Sequence, residues 1–334
     1  MNWTNEEIIK FQSENNQKLI EINSTLKPDE GIKTGKIGVF LPGQVGDLAT
    51  AMSVLKYRKE LWRDKEIIWF ANFPNADLLR YAPISEIRPW LWAGNGLQEG
   101  CPDFYPLLCN ENNRLNLEKA KQFESTADLE DGYFPAPHQM TPQQREGMDY
   151  PSVSRKVFGI SRDKEWHPYL SWSEENKKKI LDWFSVIPHR NKNIMLETFC
   201  GSGQSKWDDL MTIRTMEICK EQWGSCNFLF ASHKNTGQFK DFENYFSCAD
   251  FTPRETALLI NYCDLFVGIS AGISVVTSAW GLKPVLKMQY CGSYTCSTVS
   301  LHAGELNLIM TDAIGHEKGR IMFEKKLKEV ISRL

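Results

Sequence analysis

Short apolar runs alternate with longer amphipathic stretches along this chain, and that rhythm predicts strands interleaved with helices. Residues 3–24 space Ile8, Ile9, Phe11, Leu19, Ile20 and Ile22 among Glu, Lys, Gln and Asn, the pattern of a helix packed on the outside of a first domain. Candidate strands follow at Lys36–Leu41, Glu66–Ala71 and Ile84–Leu91, with helices expected over Leu48–Trp62 and Asn75–Tyr81. This β-α-β-α-β order implies a parallel sheet. Residues 94–150 are less regular, with a polar helix near Leu115–Phe123, an acidic patch at Asp128–Asp131, and prolines around His138. Such a segment is expected to be a lid, an acceptor-side insertion or surface decoration.

The strand–turn–helix rhythm restarts in the second half. Ser154–Ile160 is helical, Pro168–Leu170 extended, and Ser173 opens a charged helix to Phe184. Strand Asn193–Glu197 then leads through the glycine turn Cys200–Lys206 to a helix over 208–223, strand Asn227–Ala231 and a helix over 237–246. In Phe251–Pro284, Thr252 is the N-cap, Pro253 suits the first turn, and Glu255 stands three residues after the cap. A buried strand at Asp264–Gly268 feeds, through Ser270–Ser274, a second helix to Trp280 that Gly281 and Pro284 close. Strand Val285–Met288 and a terminal helix 316–334 complete the chain. The domains predicted are 1–165 with the irregular insertion 94–150, a connection over 166–191, a second domain over 192–315, and the helix 316–334.

Composition narrows the classes. A length of 334 residues exceeds one ordinary α/β core, so two domains are expected. The net charge of −3 gives no global drive toward nucleic acid. No apolar run reaches the span of a membrane helix, and the polar N-terminus lacks a signal-peptide core. Nine cysteines, an odd number without a CxxC pair, point to reduced, buried thiols in a cytoplasmic protein; Cys291 and Cys296 are at best a weak metal or disulfide pair.

The small-residue turn at 270–274 presents backbone N–H groups where a helix begins, which suits a phosphate or is an ordinary β-α turn. The glycines of Pro42-Gly-Gln-Val-Gly-Asp47 form neither GxGxxG nor a P-loop, so nicotinamide and ATP readings lack support.

Four ordered pieces carry a resemblance: IGVFLPGQVGDLATAMSVLKYRKEL, VFGISRDKEWHPYLSWSEENKKK, GSGQSKW and Phe251–Pro284. Together they resemble the GT-B glycosyltransferases of the lipopolysaccharide-heptosyltransferase type, glycosyltransferase family 9, as a divergent member. The resemblance implies an α/β fold of two Rossmann-like domains facing each other across a cleft, with acceptor and nucleotide-sugar sides. It implies that a sugar passes from a nucleoside-diphosphate donor to a hydroxyl acceptor, with no metal or other cofactor. Asp47 matches the family's Gly-Asp aspartate near the acceptor hydroxyl, where it would take the proton; its alternative role is to cap the helix after it. Gly43, Gln44 and Gly46 fall on the acceptor side. Lys206 matches the lysine on the donor phosphate, or is an exposed lysine before a helix. Ser202, Gly203 and Ser205 would add donors, and Ser270, Ala271, Gly272 and Ser274 would cradle the diphosphate.

The chain departs from the family pattern in four places. Ser270-Ala-Gly replaces Asp-Ser-Gly, Val275 stands for a His, Ser53 for a Pro, and Ser232-His-Lys for an acidic position. These changes leave the nucleotide and sugar open. The acceptor is a saccharide, a protein side chain or a modified DNA base; the last needs a basic groove, for which Lys56, Arg58, Lys59, Arg63, Arg80 and Arg88 are candidates. A non-catalytic nucleotide- or glycan-binding module and a sugar-nucleotide epimerase are the alternatives.

Overall fold

The computed structural model describes residues 17–41, 45–71, 73–89, 133–134, 150–199, 207–231, 236–269, 271–291, 307–311 and 316–334. The chain divides into two compact units, Met1–Ser171 and Trp172–Leu334, a boundary that falls inside the 166–191 segment.

In the first unit, helix α1 (residues 17–23) buries Leu19 and Ile22. Strands β1 (Gly35–Leu41), β2 (Lys65–Ala71), β3 (Glu86–Pro89) and β4 (Tyr133–Phe134) form a parallel sheet in the order β3-β2-β1-β4. Asn23, at the end of α1, donates to the Ile87 carbonyl at 3.0 Å and accepts from the Ile87 N–H at 2.7 Å, which satisfies backbone groups of the edge strand β3. β4 belongs to the 94–150 segment, so part of that segment completes the sheet; the expected helix at 115–123 and His138 lie outside the described residues.

The expected helix 48–62 is corrected. Helix α2 (Val45–Met52) starts three residues earlier, gives way to a 3₁₀ turn over Ser53–Tyr57, and is followed by the one-turn α3 (Arg58–Leu61). After α4 (Tyr150–Phe158), Trp166 stacks on Tyr57 with ring centroids 6.2 Å apart, and the Tyr57 hydroxyl donates to the Glu165 carbonyl at 2.5 Å. Those contacts keep the residues just after α4 in the first unit.

The second unit holds a six-stranded parallel sheet in the order β10-β9-β8-β5-β6-β7. Its strands are β5 (Lys192–Glu197), β6 (Cys226–Phe230), β7 (Tyr245–Ser247), β8 (Leu265–Ile269), β9 (Lys287–Cys291) and β10 (Asn307–Thr311). α5 (Glu174–Phe184) is capped by Ser173, and α6 (Asp209–Trp223) by Asp208, whose carboxylate accepts from Met211 N–H at 2.8 Å. One sheet face packs Ile194, Leu196, Phe228, Phe230, Val267 and Tyr290 against α6 and the terminal helix α9 (His316–Ile331). From the other face, Lys287 of β9 reaches α8 (Gly272–Val276), which contacts α7 (Pro253–Leu259).

Two helices expected in the second unit differ from the sequence reading. Residues 237–246, expected as one helix, form a 3₁₀ turn at Gly237–Phe239 and lead into β7. Phe239, Phe242 and Tyr245 recur every three residues like a helical stripe, yet Phe239 and Tyr245 gather around Phe230, at 5.3 and 4.9 Å from its ring, and Phe242 packs on Phe239 at 6.1 Å. Asn244 takes the left-handed φ of 60° that turns the chain back into the sheet. The helix expected to run to Trp280 stops at Val276. Its residues Ile273, Val275, Val276 and Thr277 are β-branched and stiff, and the hydroxyls of Thr277 and Ser278 bond back to Ile273 and Ser274 carbonyls.

An asparagine ladder pins the N-terminal ends of β5, β6 and β8. Asn227, fully buried, donates to Pro188 at 2.8 Å and Asn193 at 2.7 Å and accepts from Asn191 at 2.9 Å; Asn193 donates to Tyr262 at 2.8 Å. Replacing Asn227 by Ala strands the Asn193 oxygen and the Pro188 carbonyl. The expected cost is about 2–4 kcal/mol, read as a lowered urea midpoint at unchanged slope; a midpoint within error of wild type contradicts it.

Candidate functional site

Open parallel sheets bind ligands beyond the C-terminal ends of their strands, where successive connections leave in opposite directions. In the second unit that point is fixed by topology. The chain goes from β5 to β6 on one side, and returns with β8 on the other side of β5. The turns after β5 and β8 are therefore the two that flank the crevice. They are the turns expected to hold a donor: residues 200–206 and 270–274.

Gly268 lets β5 and β8 approach at that point. It pairs with Glu197 across the ladder, and a Cβ there would sit 2.1 Å from the Glu197 carbonyl oxygen, a contact only glycine avoids. Glu197 ends β5 and is 2% exposed. Its carboxyl accepts from the Phe199 N–H at 3.0 Å, bending the first residues of the turn toward the sheet. Burial raises the Glu197 carboxyl to about 8, against which the Phe199 N–H is a smaller opposing influence, so the group is protonated at neutral pH. Gln289 of β9, also buried, shares this sheet face across Gly268, which has no side chain to fill the gap.

Of the expected donor residues, Ser202, Gly203, Ser205, Lys206 and Ser270 lie outside the described residues. Ala271 and Gly272 are partly exposed where the β8 turn enters α8. Ser274 is buried, and its hydroxyl is used within the turn, accepting from Ala271 N–H at 3.3 Å and donating to the Ala271 carbonyl at 2.7 Å.

The first unit repeats the topology. β2 lies on one side of β1 and β4 on the other, so the turn after β1 flanks the switch point of this sheet. Gly43 and Gln44 lie outside the described residues, whereas Gly46 and Asp47 are half-buried in the first turn of α2. Because α2 begins at Val45, Asp47 sits inside the helix and is not its N-cap, which corrects the capping alternative. A first-turn carboxylate still interacts favourably with the helix dipole.

The expected basic groove is depleted. Arg58 is held by Asp29 at 2.7 Å, Arg80 by Asp77 and Glu21 at 2.6 and 2.7 Å, and Arg88 by Glu86 at 3.0 Å. Lys59 also lies 3.7 Å from Asp29, so four of the six cations have a carboxylate partner, which lowers the positive field that a DNA acceptor would need. Cys219, Cys226, Cys248 and Cys263 are buried and free, and burial holds all four thiols above their ordinary range, Cys226 at about 11, so none is a nucleophile. Among the described residues, no cluster of three His, Cys, Asp or Glu residues is placed to hold a metal, and no helix is long and apolar enough to cross a membrane.

The sequence reading does not single out Glu197, the buried carboxyl beside the switch point. The signal available was a carboxylate ending an otherwise apolar strand, immediately before a glycine turn.

No protein-family model and no curated protein matches the sequence. Solved structures do match in fold. A family 9 glycosyl transferase from Veillonella parvula superposes with a TM-score of 0.61 at 12% identity, over 91% of this chain and 95% of its own. ADP-heptose lipopolysaccharide heptosyltransferase II of E. coli gives 0.57 at 15% identity, over 88% and 97%. A second E. coli heptosyltransferase, solved with ADP, gives 0.55 at 9%, over 87% and 99%. Over 87–91% of its length the chain shares the parallel-sheet α/β fold of these proteins.

Proposed function

We propose that this chain is a glycosyltransferase of two Rossmann-like domains that moves a sugar from a nucleoside diphosphate to a hydroxyl acceptor, without a metal. One observation carries the reading: in each unit, the turn singled out by sequence for chemistry leaves the sheet at its topological switch point. The fold shared with heptosyltransferases supports the reaction class, since fold and site point the same way.

The second unit takes the donor. Lys206 and the N–H groups of the 200–206 and 270–272 turns hold the diphosphate, and Ser274 shapes its turn from within. The first unit takes the acceptor. Asp47 accepts the proton of the acceptor hydroxyl as that oxygen bonds to the anomeric carbon; the bond from that carbon to the β-phosphate oxygen breaks, and the nucleoside diphosphate leaves with the electron pair. The Lys206 ammonium offsets the charge developing on that leaving group, the task a metal performs elsewhere. A saccharide or protein hydroxyl suits the neutralised first unit better than DNA. The buried free thiols support a reducing, cytoplasmic setting.

A thermal-shift panel of ADP-, UDP-, GDP- and CDP-sugars tests the proposal, because a ligand of the native state stabilises by mass action. ADP, present in one E. coli heptosyltransferase structure, is the first base to try. One base should raise the melting temperature, and Lys206→Ala should abolish the shift. A panel with no shift at millimolar donor would remove the reading. The expenditure of the Ser274 hydroxyl inside its own turn favours a second reading, a binder without turnover, in which donor is bound but never cleaved.

A further inference from the structure

We propose that Lys287 is a positioning residue that ties α8 to the sheet and so fixes the β8 turn in the shape that receives the donor diphosphate. The inference rests on the donor reading above and concerns the same turn. Lys287 begins β9, pairs with Phe266 of β8, and is fully buried. Its ammonium donates to the Ser274 carbonyl at 3.2 Å and to the Ser278 hydroxyl. An amino group removed so completely from water needs hydrogen-bond acceptors, and these two belong to α8 and to the residues just after it.

The tie matters because α8 is too short to hold itself. Five residues close little more than one turn, so nucleation is barely repaid, and the β-branched run after Gly272 lowers propensity further. The final carbonyls of such a helix lack partners within it and carry the negative end of its dipole. Lys287 meets one of them, the Ser274 carbonyl, from the sheet, beside the Thr277 and Ser278 hydroxyls that also donate to it. Ser274 then links the two ends: its carbonyl is held by Lys287 while its hydroxyl holds Ala271. Displacing the Ser274 backbone therefore moves Ala271 and the amides beside it.

The test compares full-length wild type with Lys287→Met and Ser278→Ala. Hydrogen exchange at the amides of Thr277, Ser278 and Ala279, which close the end of α8, reads the tie without any nucleotide. Calorimetric titration with ADP, UDP, GDP and CDP reads the consequence. Lys287→Met should exchange faster at these amides and bind the preferred diphosphate about tenfold or more weakly, the worth of one charge-assisted hydrogen bond. The loss should appear in donor KM, leaving kcat within about twofold, which a general loosening of the fold would not do. Ser278→Ala should move both readouts the same way by about threefold, and it decides the matter if Lys287→Met fails to fold. Unchanged exchange, or faster exchange at unchanged affinity, overturns the inference alone. A wild-type protein that binds none of the four diphosphates overturns the donor reading and the role of Lys287 with it.

Discussion

Glu197→Gln should make the second unit more stable at pH 7 and should flatten its dependence on pH. The side chain is buried at the end of β5, and burial lifts its carboxyl from 4.5 to about 8. The sign follows from linkage. Between those two values the unfolded chain is ionised and the folded one protonated, so folding takes up a proton. Stability from this group is fully present below pH 4.5 and is lost as pH rises toward 8, at about 1.4 kcal/mol per pH unit. By pH 7 the loss is about 3 kcal/mol. Glutamine is neutral throughout and keeps the oxygen that accepts from Phe199 N–H. The variant therefore gains about 3 kcal/mol at pH 7, less the cost of burying a second amide N–H, and gains little near pH 4.5. Thermal unfolding of both proteins at pH 5, 6, 7 and 8 checks it. Parallel curves would show that Glu197 does not titrate in that window.

Asp47→Asn should lower sugar transfer by about 10²–10⁴-fold while leaving donor affinity unchanged, the span a positioned general base supplies. Asparagine matches aspartate in shape but cannot take the acceptor proton. The fold should survive, because a first-turn carboxylate contributes only about 0.3–1 kcal/mol through the helix dipole. That contrast separates chemistry from structure: turnover collapses while the melting temperature moves by about four degrees at most, which is what such a change in stability produces. A variant with turnover within about threefold of wild type would return Asp47 to a purely helical role.

Local codes were legible in the sequence. The Thr252 cap with Glu255 three residues later is present as a reciprocal box, and Glu255 also receives Lys179 of α5 at 2.9 Å. The Ser173 start of α5 and the apolar strands β1, β2, β5, β6 and β8 also follow from pattern alone, because burial on both faces requires near-continuous apolar runs. What failed was set by partners distant in sequence. The aromatic spacing around Phe242 fits a helix until Phe230 supplies a surface for it. β4, two residues long, and the edge strand β10 each pair with a single neighbour, which supplies their strand character. The pairings of Arg80 with Glu21 and of Arg58 with Asp29 span 59 and 29 residues, so the sequence alone does not show these candidate cations to be neutralised. For the site, turn chemistry marked the loops, but only the strand order placed them at the switch points. The burial that makes Glu197 and Lys287 consequential is a tertiary fact.

The most direct measurement is the release of nucleoside diphosphate from the donor that the thermal panel selects, with water as the default acceptor, for wild type and Asp47→Asn side by side. Steady release by wild type, absent from the variant at equal donor occupancy, is the predicted result. Donor that binds but stays intact with both proteins, or is cleaved equally by both, would contradict the transferase account.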